Sequence, residues 1–168
     1  MTISKQELEI FSRQLILKEF DDRTFHFIQK QHVIIIGMGG IGCPVAQYLL
    51  TTGIKQLTLI DDDRIQINNL NRQILYSINH IGQKKVKIAK KILIGINPEC
   101  KINTISSKIE EKNIKKYLDK PSLVIDATDN WHSMNIINEF CVNQSIPLIS
   151  TSVIGFDGQV ALFQNTKE

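Results

Sequence analysis

The sequence has 168 residues, 42% of them apolar, enough to bury one hydrophobic core, so a single domain spanning residues 1–168 is expected. Its 20 basic and 17 acidic residues are spread along the chain and leave a formal charge of +3, which excludes a dense basic stripe and with it nucleic acid as the main partner. Three cysteines, Cys43, Cys100 and Cys141, show no CxxC spacing; they suit neither a disulfide framework nor a self-contained zinc site, and point to a reducing cytoplasm.

The polar start of the chain, MTISKQELEIFSRQ, has no apolar signal region, and no run of about 18 apolar residues follows, so neither export nor a membrane is expected. Residues 6–30 form a helical preface in which Leu8, Phe11, Leu15, Ile16 and Phe20 share one face, with a break at Asp21-Asp22. A β-branched run, 32–36, leads directly into Gly37-Met-Gly-Gly-Ile-Gly42 and then a helical segment, 43–50, ended by Gly53. A second buried strand, 56–60, ends in Asp61-Asp62-Asp63. Residues 64–82 are polar and aperiodic, a long loop with short helical pieces. An amphipathic helix over 83–96 stops at Asn97-Pro98, followed by a strand over 101–105 and a short charged helix over 110–119. The strand 123–126 meets the turn Ala127-Thr-Asp-Asn130, a helix runs over 133–143, and strands are expected at 147–150 and 158–163. Strands alternating with helices specify an α/β fold: a Rossmann-like, doubly wound, mainly parallel sheet with an N-terminal helical preface.

Gly37, Gly39 and Gly42 have the GxGxxG spacing between strand and helix, where a missing Cβ lets backbone N–H groups approach a phosphate. The carboxylates Asp61 to Asp63 follow about 20 residues on, where an acid can bind ribose hydroxyls; Asp61 is best placed, and Asp62 merely solvates the strand end. Both a nicotinamide-dependent oxidoreductase and an ATP-using enzyme meet this description. Beyond it, Asn68-Asn-Leu-Asn-Arg-Gln73 supplies amides and the Arg72 guanidinium, and Lys84 and Lys85 stand at a helix start. Such cations bind a triphosphate and stabilise a pyrophosphate leaving group, a clamp that nicotinamide chemistry does not need. Lys84, Lys87, Lys90 and Lys91 otherwise read as a solvated helix face. Asp126 and Asp129 lie where such folds place ligands, and either one suits a magnesium ligand as well as a helix cap.

Taken together, SRQL at 12–15, GMGGIGCP at 37–44, DDDRIQINNLNRQIL at 61–75, GQKKV at 82–86, INPE at 96–99 and DATDN at 126–130 resemble the ThiF/MoeB/HesA family, the bacterial relatives of ubiquitin-activating enzymes. The resemblance runs from about Phe11 to Phe163. It implies an ATP-dependent adenylyltransferase that activates the C-terminal glycine of a ubiquitin-like sulfur-carrier protein ending in Gly-Gly, in thiamine or molybdopterin biosynthesis. Residues 152–159 lean towards the thiamine branch. Position by position, the resemblance puts Gly40 in the phosphate turn with Gly37, Gly39 and Gly42, and Asp61 and Asp63 at the nucleotide. Asn69, Arg72 and Gln73 line the ATP site, Lys85 contacts phosphate, and Asp129 holds Mg²⁺. Arg13 matches a finger that reaches the ATP of the other subunit in a homodimer. The family's further domain, with two CxxC pairs for structural zinc, has no counterpart here, so a C-terminally short chain without a zinc site is expected. An exposed strand edge at 158–163 goes with that, and a non-catalytic nucleotide-binding remnant remains an alternative to the enzyme. Cys43 and Cys141, on apolar helix faces, read as core residues rather than nucleophiles.

Overall fold

In the computed structural model, which describes residues 3–164, the expected strands are β1 (His32–Ile36), β2 (Gln56–Ile60), β3 (Lys101–Ile105), β4 (Leu123–Asp126), β5 (Leu148–Ile154) and β6 (Asp157–Phe163). They form one sheet of order β3-β2-β1-β4-β5-β6, parallel throughout except for the β5–β6 hairpin. The fold is therefore the expected Rossmann-like α/β arrangement. β5 runs four residues beyond its expected end because β6 pairs with it antiparallel through Ile154.

The β-branched run of β1 is buried on both faces, as a central parallel strand must be. Val33 and Ile35 join a core covered by α4 (Gly42–Thr51) and α5 (Lys85–Ile96). Ile34 and Ile36 join a second core, with Ile114 of α6 (Glu111–Tyr117) and Ile136, Ile137 and Cys141 of α7 (Trp131–Gln144). Such burial stabilises each side chain by about 1.5–3 kcal/mol. β6, in contrast, is exposed at every position and forms the sheet edge, as expected for 158–163. Among the described residues no helix is long and apolar enough to cross a membrane.

The preface differs from a single amphipathic run. It consists of three short helices, α1 (Lys5–Ile10), α2 (Ser12–Leu15) and α3 (Asp22–Gln29). Phe11, at the joint of the first two, packs on Phe25 at a ring-centroid distance of 4.8 Å, with Leu15 and Phe20 alongside. Leu8 and Ile16 are exposed instead, because the kink at Phe11 breaks the helical register that had placed them on the same face. The Asp21-Asp22 break has a clear cause: Asp21 is the N-cap of α3, accepting from the Thr24 N–H at 2.8 Å.

Glu7 ties the preface to the body. One carboxylate oxygen accepts from Gln29 and Lys55, and the other from the Ser4 N–H and hydroxyl. These bonds, the Ser4 backbone N–H first, hold its pKa down at about 2, below the ordinary 4.5. Because the folded value is depressed, the stabilisation is complete above about pH 4.5 and is lost as pH falls towards 2. Glu7→Gln is expected to lower the urea midpoint at pH 7 and to converge with the parent chain only as the pH falls below about 2. A gap that stays constant with pH assigns the anchoring to packing rather than to the carboxylate.

Candidate functional site

In this sheet the chain winds from β1 towards β2 on one side and from β4 towards β5 on the other, so the order reverses between β1 and β4. The crevice at their carboxyl ends is where such folds take ligands. The glycine turn and the Ala127–Asn130 turn meet there. Gly37 has φ +94°, and a Cβ on it would lie 2.5 Å from the Ala127 carbonyl oxygen. A Cβ on Gly42 would lie 1.9 Å from the Gly37 carbonyl oxygen, so α4 can start this close to β1 only with glycine there. No side chain caps the start of α4, which leaves its positive end open to an anion.

The loop after β2 folds back over this turn. Gly39 faces the Gln73 amide, 3.8 Å from where its Cβ would stand, and Gly40 faces the Arg72 side chain at 3.5 Å. Tyr76 pins the loop by donating to the Met38 carbonyl at 3.0 Å. Asp61 pins it from below: one oxygen accepts from the Met38 N–H and the other from the Asp63 N–H, both at 2.7 Å. Burial pushes the Asp61 carboxyl up, against the pull of Lys85 and of these two amides.

Lys85 is buried and bonds Asp63 at 2.7 Å. In this state its ammonium is committed to that carboxylate. Lys84 is half-buried and donates to the Asp62 carbonyl, so it is not part of the solvated face, whereas Lys87 and Lys91 are. Asp62 is exposed as expected. Asn69 is turned into its own loop: its carbonyl oxygen accepts from the Gln66 N–H and its amide donates to Asn68. Arg72 is exposed and donates to Asn68 and Asn71. Gln73 is buried with Oε1 unpartnered.

Asn130, rather than either aspartate, caps α7, accepting from the Ser133 N–H at 2.8 Å. Asp126 and Asp129 are thereby free of that duty. Asp126 is fully buried; Oδ1 accepts from the Thr128 N–H and hydroxyl, while Oδ2 has no partner and burial raises its pKa. Asp129 is exposed and makes no hydrogen bond or ion pair with described residues. Asp61, Asp62 and Asp63 form the only cluster of three potential metal ligands among the described residues. The Lys85 ion pair and the two backbone amides occupy much of its capacity.

Arg13 stands apart from all of these. Its neighbour Gln14 donates to the Thr51 carbonyl at the far end of α4, and a ten-residue helix places that end ~15 Å from Gly42. Arg13 is exposed, without a partner among the described residues, and is not brought to this chain's own glycine turn.

The three thiols are buried and pushed up to about 11 at Cys43 and Cys100 and about 12 at Cys141, so they are protonated at neutral pH and poor nucleophiles. Tyr76, Thr128 and Asn130 were not foreseen as parts of the site. Tyr76 had one signal in the sequence: it is the single aromatic residue of the 64–82 loop.

Residues 11–168 match the ThiF family. The chain belongs to the ThiF family. The molybdopterin-synthase adenylyltransferase of Salmonella typhimurium is 37% identical over 161 residues, which cover 96% of this chain and 65% of that protein. The sulfur carrier protein adenylyltransferase of Thermus thermophilus is 32% identical, over 98% of this chain and 61% of its own length. The chain thus spans a little under two thirds of these ThiF-family relatives. Among solved structures, Escherichia coli tRNA N6-threonylcarbamoyladenosine dehydratase in complex with ATP superposes with a TM-score of 0.85 at 28% identity, covering 94% of this chain and 64% of that one.

The glycine contacts separate two substitutions in this ThiF-family turn. Gly42→Ala, which meets a backbone oxygen that cannot move aside, is expected to cost roughly 2–3 kcal/mol of unfolding free energy. Gly39→Ala faces only a side-chain amide at contact distance and is expected to cost well under 1 kcal/mol. Urea unfolding of both variants checks this; equal losses refute the steric account.

Proposed function

We propose that this chain is a single-domain, Mg-ATP-dependent adenylyltransferase that activates the C-terminal glycine carboxylate of a ubiquitin-like sulfur-carrier protein, working as a cytoplasmic homodimer. The observation that carries the reading is the packing of Arg72 and Gln73 directly over Gly40 and Gly39. A guanidinium and an amide over a glycine turn make a phosphate cradle, which suits a triphosphate better than a nicotinamide. Family membership and the activities of the two relatives support it further, and the Salmonella relative leans towards a molybdopterin-type carrier while the Thermus relative distinguishes neither branch.

In this scheme the open start of α4, Gly37, Gly39, Gly40 and Gly42 take the phosphates, and Asp61 takes the ribose. Asn69 holds the loop in shape while Arg72 and Gln73 contact ATP. Lys85 exchanges its Asp63 partner for a phosphate oxygen, and Asp63 is released towards the nucleotide. The exposed, unpartnered Asp129 and the orphaned Asp126 oxygen suit a hard cation, so Asp129 is the magnesium ligand. Magnesium, when bound, screens the triphosphate charge. The carrier carboxylate attacks the α-phosphorus, a new P–O bond forms, and the bond to the bridging oxygen breaks so that pyrophosphate leaves with the electron pair. Arg72 and Lys85 stabilise the negative charge that develops on that leaving group. Arg13, at the far end of α4, serves the site of the partner subunit.

ATP–pyrophosphate exchange by the purified chain with Gly-Gly-ended carriers tests this reading. Exchange is expected to require carrier and to fall at least 100-fold in Arg72→Ala and Asp129→Ala, about the loss seen when one electrostatic stabiliser is removed. For Arg13→Ala, mixing with Asp129→Ala protein is expected to restore part of the exchange, since one of the two sites in a mixed dimer is then intact. A folded, ATP-binding chain without exchange overturns the enzyme reading in favour of a nucleotide-binding remnant.

A further inference from the structure

At the amino ends of the strands, opposite the glycine turn, lies a cavity of about 370 Å³. It is enclosed by α1, the turn that ends α4 and the residues that end α5. That volume is in the range that holds a small organic molecule, roughly 300–1,000 Å³. Its apolar wall includes Ile10, Phe11, Leu50 and Ile96. Its framework is tied together: Asn97 donates from α5 to the Leu50 carbonyl of α4 and accepts from the Glu99 N–H.

The charges in this cavity do not balance. Lys55 stands between Glu7 at 3.1 Å and Glu99 at 3.2 Å, one ammonium for two carboxylates. Glu7 is saturated by its four bonds, whereas Glu99 is mostly exposed and gives Lys55 only one oxygen. The C-terminal ends of α4 and α5 converge on the same space, and neither helix has a basic residue in its last turn. The end of α4 is satisfied by the Thr52, Gly53 and Ile54 N–H groups and by Asn97 and Gln14, so among the described residues it is the half-used Glu99 carboxylate and the end of α5 that leave the cavity short of a cation.

We propose that this cavity binds a small amphipathic cation, an ammonium or guanidinium on an apolar body. The cationic head sits against Glu99 and the end of α5, and the body lies against Ile10, Phe11, Leu50 and Ile96. The site is independent of the nucleotide reading, because it shares no residue with the glycine turn or the loop above it. A free amine and a basic side chain of a bound protein offer the same chemistry.

Amide NMR titration of the chain at pH 7 with 2-phenylethylammonium, 2-phenylethanol and phenylacetate tests the proposal. The amine is expected to shift residues 4–11, 51–55 and 96–99 saturably, the alcohol to bind at least about fivefold more weakly, and the acid not at all. Glu99→Gln, at an exposed position that the fold does not depend on, is expected to weaken the amine about fivefold, the upper range for one exposed ion pair. A peptide acetyl-Leu-Arg-Leu-amide titrated in parallel identifies the source: tighter binding than the amine points to a protein side chain, weaker binding to a free amine. Equal binding of amine and alcohol, shifts outside these segments, or no saturation below about 10 mM overturns the proposal.

Discussion

The close approach of two backbone turns at Gly37 sets the position of everything around the candidate site. β1 and β4 are parallel neighbours, yet their following helices cover opposite faces of the sheet, so their carboxyl ends must part at once. Gly37 donates to the Ile60 carbonyl and Ala127 to the Ile36 carbonyl, both at 2.8 Å, so three strand ends are stitched together just before they separate. Only glycine at 37 and 42 leaves room for this, since a Cβ at either position would overlap a carbonyl oxygen. The start of α4 is thereby held against the Ala127 turn, and the first N–H groups of α4 and the DATDN residues share one crevice.

Around that crevice the ordinary rules of burial are broken. Gln73 Oε1 and Asp126 Oδ2 are buried without partners, and each orphan acceptor costs about 1–3 kcal/mol. Lys85 is buried with its single carboxylate partner more than half exposed. Elsewhere in the body the buried positions of the sheet are almost wholly apolar and packed in two continuous cores. A third buried orphan, Gln14 Oε1, lies in the preface, but two of the three stand at this crevice beside the buried Lys85, where the chain keeps polar groups ready rather than satisfied.

The strands could be read directly from the sequence because β1, β2 and β4 are buried on both faces, and such strands are written as short, mostly apolar runs. The glycine turn and Asp61 were legible for the same reason: both sit at fixed distances from those runs. What could not be read depends on contacts far apart in sequence. Lys85 meets Asp63 across 22 residues and Tyr76 meets Met38 across 38, and nothing local announces either. The spacing left either aspartate of the 126–130 turn as a candidate cap, yet Asn130 stands one residue before α7, takes the cap and leaves the two aspartates free. In the preface, hydrophobic spacing alone could not distinguish one helix from three, because Phe11 serves the core equally well from a joint.

α4 links the carboxyl and amino ends of the strands in a single electrostatic object. Its positive end opens at the glycine turn and its negative end closes on the cavity beside Glu7, Lys55 and Glu99, ~15 Å apart for ten residues. The aligned peptide dipoles favour an anion at the open end, whereas Gln14 and Asn97 satisfy carbonyls at the other. The preface rests on the negative end through Gln14 and Glu7, which fixes Arg13 on that side of the molecule. An arginine held there cannot meet phosphates at its own glycine turn. If it acts on a nucleotide at all, that nucleotide belongs to another copy of the chain.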